Sequence, residues 1–281
     1  MARSHSIHGP PAETDTEYIA KVTRVGALQV YSKHGFSDVV DGDVSGSYAV
    51  NKFGRNPDID TTSDPETVWF TGGLYPWAQV ATAVSVEVVA GADDDVGGTG
   101  MLTISVQGLD ANWDMQTAIV TLTGATPAAV GGTWLRIFRV AGQTAGTGLT
   151  NADNIVVRIA GAGATLLTVA AGAGQSEIAV YTVPAGKQGR IVSWEVNITA
   201  GGASAEVEMA LLTRENDIAG RPFRKRDVIG LSNSGSSSVG REFLAPIIVP
   251  EKTDIEVRIV NTTASNVGVT AFFLIIVENT P

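Results

Sequence analysis

Apolar and polar residues alternate along most of the chain after residue 77, with the period of two that is typical of β-strands. Leu102, Ile104 and Val106 are separated by polar residues, and a similar alternation recurs over residues 193–198, 206–211 and 255–259. One apolar face and one polar face per strand is typical of antiparallel sheets that cover a core on one side. No helix of three turns stands out, so the pattern predicts an all-β protein.

Gly, Ala, Thr and Asn turns separate these runs at the short intervals that are typical of two-sheet folds. We therefore predict two jelly-roll-like antiparallel β-sandwich domains, at residues 78–162 and 163–281. The Ala- and Gly-rich stretch at 160–175 is a candidate linker between them.

The first 77 residues show much less regular alternation. Prolines and Asx residues between 51 and 77 disfavour a long helix or a central strand, and one short strand is predicted at 27–31. Disordered segments are depleted in large aromatic residues, which this segment contains. We therefore predict a long, irregular N-terminal anchoring arm at 1–77 that docks on another protein. Its predicted anchors are Phe53, Arg55, Pro57, Trp69, Tyr75 and Trp77.

The last strand has two apolar faces. Val267, Val269, Ala271, Phe273, Ile275 and Val277 share one face, and Phe272, Leu274 and Ile276 lie on the other. A surface strand normally shows one polar face, so both faces are expected to be covered. Either another part of the same chain covers the second face, or a second copy does. We predict an oligomer contact at Phe272, Leu274 and Ile276, in a homo-oligomer that we expect to be a trimer.

Composition excludes several kinds of site. The chain has 281 residues and no Cys, which removes disulfides and thiolate chemistry, and its three His all precede residue 35. The formal net charge of −10 disfavours a general nucleic-acid or anionic-membrane binder. We predict no catalytic residues, no metal and no cofactor.

A few polar clusters are candidate sites by residue type. Asp93–Asp95 lacks the later Glu of a calcium loop and is predicted to be a solvated hairpin loop. The carboxylates at 58–66 lie in a Pro-rich segment that is a poor support for a glycosidase pair. The basic run at 221–226 is predicted to be a solvated loop or a patch that meets an acidic neighbour. Trp134 and Trp194 are predicted to be core residues.

Three short sequence segments resemble structural proteins of tailed bacteriophages. They are residues 51–60 continuing to Trp69 and Gly72-Gly73, the turn at 108–112 with its return strand, and residues 181–187. The resemblance implies a virion component, assembled in the host cytoplasm, and implies no catalytic residues. We therefore expect a non-enzymatic subunit that decorates or stabilises the capsid or attaches to the tail, with other virion proteins as partners. The alternative is a module on the virion surface that binds carbohydrate or a host receptor.

Overall fold

The computed structural model describes residues 19–22, 28–31, 36–61, 65–201, 205–234 and 237–280. The chain divides into a unit at 1–48 and a unit at 49–281. In the first unit, Ile19–Val22 (β1) and Leu28–Tyr31 (β2) form an antiparallel hairpin, and Phe36–Asp41 forms a short helix (α1). The strand expected at 27–31 is thus confirmed as β2, whereas the other residues of the arm before 36 lie mostly outside the described residues.

The second unit contains only β-strands as its regular elements within the described ranges, and its sheets are antiparallel. The prediction of an all-β protein is therefore confirmed. The strands are Tyr48–Ile59 (β3), Glu66–Thr67 (β4), Val86–Val89 (β5), Met101–Leu109 (β6), Met115–Thr121 (β7), Ala128–Ala129 (β8), Arg136–Ala145 (β9), Ile155–Ile159 (β10), Thr165–Val169 (β11), Val180–Thr182 (β12), Lys187–Ala200 (β13), Glu206–Glu215 (β14), Arg224–Ser232 (β15), Ser238–Val249 (β16), Thr253–Thr262 (β17) and Val267–Asn279 (β18).

One strand of the second unit is interrupted by a long insertion. Both β4 and β12 pair with β17, at successive positions along it, and Ala179 N donates to Val68 O at 3.0 Å between them. The chain leaves at Trp69 and returns at Ile178, and these two residues form a bridge. We call residues 69–178 the inserted block, and residues 49–68 with 179–280 the host block.

The host block contains two sheets, with the strand orders β16-β13-β18-β3 and β12-β17-β14-β15, the second extended by β4. From β12 onward the chain moves repeatedly between them, and alternate residues of each strand point to the shared core. Trp194 on β13 links the two sheets, since its Nε1 donates to Asp227 Oδ2 on β15 at 2.9 Å.

The inserted block also contains two sheets, β11-β10-β5-β8 and β7-β6-β9. Its core combines aliphatic residues of both sheets with aromatic residues of the segment that precedes β5, including Trp69 and Trp77. Trp134 and Trp194 are both buried, as predicted.

The predicted segment boundaries differ from this arrangement. β3 and β4 belong to sheets of the host block rather than to an arm. β3 pairs with β18 as an edge strand, where Pro57 is tolerated. The boundary at 162/163 separates β10 from β11, which are partners in one hairpin. The stretch at 160–175 is therefore a turn and a strand of one sheet rather than a linker. Alternation alone shows where strands lie but not which strands pair.

Candidate interaction surface

The sheet β16-β13-β18-β3 has one face that points away from the host core. On β3, Lys52, Gly54 and Asn56 are buried, whereas Phe53, Arg55 and the other intervening residues are partly or fully exposed. Since side chains alternate across a strand, Phe53, Arg55 and Pro57 share this outer face.

The predicted oligomer residues lie on the same face. On β18, the residues from Val267 to Val277 at odd positions are buried, and Phe272, Leu274 and Ile276 lie between them. Phe272 is 37% exposed and its ring stacks on Phe53 with centroids 6.2 Å apart. The structure thus brings together two groups of residues that were predicted separately, on the arm and on the last strand.

One further apolar residue extends this surface and was missed at the sequence level. Ile248 on β16 is 55% exposed. It pairs with Arg190, which in turn pairs with Ile276. The fully exposed Leu244 of the same strand lies at 243–246, where the register with β13 is interrupted. We call this surface, with Phe53, Phe272, Leu274, Ile276 and Ile248, the outer sheet face.

Polar groups border an open groove on the outer sheet face. The groove has a volume of about 550 Å³, and its lining includes Phe272 and Leu274 with Asn51, Glu195, Arg241 and Glu242. Arg241 pairs with Asp227, and Glu195 accepts a hydrogen bond from the Ser238 hydroxyl at 3.2 Å. The groove therefore combines an aromatic ring with carboxylate and amide groups.

The other predicted anchors lie elsewhere. Trp69, Tyr75 and Trp77 are 2%, 2% and 7% exposed, within the core of their own chain. Tyr75 packs between the two indoles, at 5.4 Å from Trp69 and 4.5 Å from Trp77. Burial raises the pKa of Tyr75 to about 12, and its hydroxyl donates to Ile137 O at 3.1 Å. Their assignment as anchors for another subunit is therefore wrong, because large aromatics gain most by closing the chain's own core.

Trp77 belongs to a ladder of alternating aromatic rings and guanidinium groups between the two blocks. Each guanidinium lies 4.6–5.2 Å from the ring centroids it contacts, within the range of cation–π attraction. The order along the ladder is Trp113, Arg136, Trp77, Arg214, Phe223 and Arg258.

Two buried carboxylates bind the three guanidinium groups of this ladder. Asp254 accepts from Arg136 Nε at 2.9 Å and Nη2 at 3.1 Å, and from Arg214 Nη2 at 2.6 Å. Glu256 accepts from Trp77 Nε1 at 3.0 Å and from Arg258 Nη2 at 2.6 Å. Both carboxylates are completely buried on β17, so the inserted block covers the outer side of this host sheet at that strand.

A lysine also lies between the blocks. The Nζ of Lys52 on β3 donates to Phe138 O on β9 and lies 5.8 Å from the Phe138 ring centroid. Burial, with a smaller contribution from Arg139, lowers the pKa of Lys52 to about 7.

The polar clusters of the sequence analysis have structural roles. The basic run meets acidic neighbours, which was one of its two predicted environments: Arg221 pairs with Glu215, and Lys225 pairs with Glu208 at 3.5 Å. Asp94, by contrast, is completely buried rather than solvated. Glu66 is also buried and accepts from Asn56 Nδ2 and from Gly73 N, both at 2.9 Å.

Within the described ranges, no group of three or more His, Cys, Asp or Glu side chains is placed to hold a metal ion. Among the same residues, no helix is both long and apolar enough to cross a bilayer.

The turn at 108–112 with its return strand and the segment 181–187 are in contact. The turn at 108–112 leads to Trp113, whose carbonyl accepts from Ala185 N at 3.0 Å, and Ala185 lies within residues 181–187. Comparison with known proteins adds no relative: no protein-family model matches the chain, and no curated protein shows significant similarity to it.

Proposed function

We propose that this protein is a non-enzymatic structural component of a tailed-phage virion, which binds other virion proteins and copies of itself and is assembled in the host cytoplasm. It decorates or stabilises the capsid, or attaches to the tail. The observation that carries this proposal is the outer sheet face, where apolar residues of β3, β18 and β16 lie on one side of a sheet, with Arg190 of β13 between those of β18 and β16. An exposed apolar surface of this kind is typical of a protein–protein contact.

We infer that the host block is an eight-stranded jelly roll. The orders β3-β18-β13-β16 and β12-β17-β14-β15 place the first strand beside the last, and successive strands change sheets except at the β14-β15 hairpin. In this interpretation β4 and β12 are two halves of the second strand, and the inserted block is a second sandwich built into it.

The two host sheets differ in what covers them. The inserted block covers part of the outer side of β12-β17-β14-β15, where Asp254 and Glu256 are completely buried. The outer sheet face retains exposed Phe272 and Ile248. A second copy of this chain is the occupant that we propose for it.

The size of this face fits such a contact. Its four strands are 12 to 14 residues long. With about 3.4 Å per residue and about 4.8 Å between strands, the sheet measures roughly 40 by 19 Å. This area is close to the roughly 800 Å² that each partner buries in a stable interface. The two edge strands contain Pro57 and Pro246, which disfavour the addition of another strand. Contact through the face is therefore favoured over contact through an edge, and a ring of three copies remains our proposal for the oligomer.

The test is a cryo-EM map of the intact particle together with purified protein. We expect density for this chain at a fixed copy number, with the outer sheet face covered by a neighbouring copy. Purified particles that lack the protein would contradict the virion role. Particles that contain it with the outer sheet face open to solvent would contradict only the proposed contact.

A second candidate function is carbohydrate or receptor binding at the groove beside Phe272. Phe272 offers an apolar ring, and Asn51, Glu195 and Glu242 offer hydrogen-bonding groups, which is the combination that a sugar ring requires. Calorimetric titration with host surface glycans tests it, using Phe272→Ala as the matched variant. Saturable binding by wild type that Phe272→Ala abolishes would favour this function over the oligomer contact.

A further inference from the structure

One end of the inserted block carries two adjoining loops that present exposed aliphatic side chains. Val96 is 71% exposed on the loop at 93–100, and Leu149 is 85% exposed on the loop at 146–150. We call these two segments the double loop. A single exposed aliphatic residue is ordinary, so the argument depends on how the double loop is built.

The backbones of the two loops are packed directly against each other. Gly146 N donates to Gly100 O at 2.7 Å, and Gly148 N donates to Thr99 O at 2.7 Å. A Cβ atom at Gly146 would lie 2.4 Å from Gly98 O, and one at Gly100 would lie 2.2 Å from Asp94 Oδ1. Glycine is therefore required at both positions for this close approach.

Two buried polar side chains next to the double loop stabilise it through hydrogen bonds to backbone groups. The Asp94 carboxylate accepts from the backbone N–H groups of Met101, Ala152 and Asp153 at 2.7, 2.8 and 2.9 Å. Asn151 accepts from Gly174 N at 2.8 Å and donates to Ala170 O at 2.7 Å. These contacts tie three loops together, so Val96 and Leu149 are presented on a fixed support.

Leu149 occupies a backbone conformation that its side chain disfavours. Its φ is 60°, in the left-handed region that favours glycine. The side chain makes little contact with its own chain, since it is 85% exposed. Glycine occurs twice among the three preceding residues, but the strained position carries Leu. Strain that adds nothing to the core indicates a role outside the chain.

The surroundings of the double loop are acidic. Asp93 and Asp153 are exposed beside it, and the sequence contains no Lys or Arg between Arg55 and Arg136 or between Arg139 and Arg158. Carboxylates disfavour anionic lipid and nucleic acid as partners. We propose that the double loop is a preorganised docking point for a different protein, which offers an apolar pocket bordered by Lys or Arg side chains. Preorganisation lowers the ordering cost of binding, which is the physical advantage of this construction.

Photo-crosslinking tests the partner. A benzoylphenylalanine is placed at position 149, or at position 119 as a control, because Ile119 on β7 is also 62% exposed. The variants are produced in infected host cells, and this choice of cells rests on the proposed virion role. We expect one crosslinked product specific to position 149, mapped by mass spectrometry to a different protein at a peptide that contains apolar and cationic residues. Equal crosslinking from both positions, crosslinking to a second copy, or no product would overturn the proposal.

A second variant separates docking from folding. Leu149→Gly removes the exposed side chain and relieves the backbone strain, so its melting temperature should equal or exceed that of wild type. We expect its incorporation into particles to fall at least tenfold, while Ile119→Ser is incorporated normally. Normal incorporation of Leu149→Gly would contradict the docking role and leave the virion role intact. If wild-type protein is absent from particles, the virion role fails, and the crosslinking result in cells alone decides the docking role.

Discussion

Phe53 and Phe272 stack on the outer side of one sheet, although the whole inserted block lies between them in sequence. The contact follows from the position of β3 at the end of the order β16-β13-β18-β3. It places an edge strand from the N-terminal part of the second unit beside the last strand of the chain. The resulting aromatic pair lies at the β3 edge of the outer sheet face.

Replacement of Phe272 and Leu274 by Asp should convert the oligomer to a soluble monomer. Two carboxylates in the middle of an apolar contact would lose their hydration on association, which opposes binding. Sedimentation velocity measures the change, and Ile119→Asp on the inserted block is the control for a general effect of charge. A wild-type protein that is already monomeric in solution and on the particle would rule out the contact.

Deletion of residues 1–47 should leave a folded protein, whereas deletion of residues 1–77 should not. The first deletion leaves β3 intact from Tyr48 and keeps the whole second unit, which begins at Ala49. The second removes β3, β4 and the buried Trp69, Tyr75 and Trp77, each worth about 2 kcal/mol or more of burial. Far-ultraviolet circular dichroism and thermal unfolding distinguish the two products. A cooperatively folded 78–281 fragment would show that β3 and β4 are dispensable.

Asp254→Asn should destabilise the protein by about 3–5 kcal/mol, because it leaves the buried Arg136 without its paired charge. Urea unfolding measures the free energy of unfolding. The comparison is Arg241→Ala, which removes an exposed ion pair and should cost less than about 1 kcal/mol. Equal effects of the two substitutions would show that the ladder does not hold the blocks together.

The wild-type protein should become more stable between pH 7 and pH 10, and Lys52→Met should remove this increase. The pKa of Lys52 is about 7 in the folded protein against 10.5 for the free side chain, so the unfolded chain binds more protons in this window. Stability should therefore increase with pH there, by up to about 1.4 kcal/mol per pH unit, and level off below pH 7.

The measurement is the free energy of unfolding of wild type and Lys52→Met at several pH values. Lys187→Met is a matched control, because Lys187 lies on the surface and bonds to Asn279. Parallel pH curves for wild type and Lys52→Met would contradict the lowered pKa.

The alternation of apolar and polar residues was enough to predict the all-β class, and the period of two was enough to predict which residues of the last strand share a face. Alternation is a local property, since side chains at successive residues of a strand point to opposite faces. Phe272, Leu274 and Ile276 are therefore separated from their buried neighbours by their positions in the sequence alone. Trp134 and Trp194, which lie in similar strand patterns, were correctly assigned to the core.

Which segments meet depends on the tertiary structure. Trp69, Tyr75 and Trp77 lack alternation and lie in a Pro-rich segment, so their burial depends on the inserted block closing over them. The pairing of Arg136 with Asp254, and of β4 and β12 with one strand, joins residues far apart in sequence. Such contacts depend on strand order, which the local pattern of apolar and polar residues does not encode, because the same alternation fits many pairings.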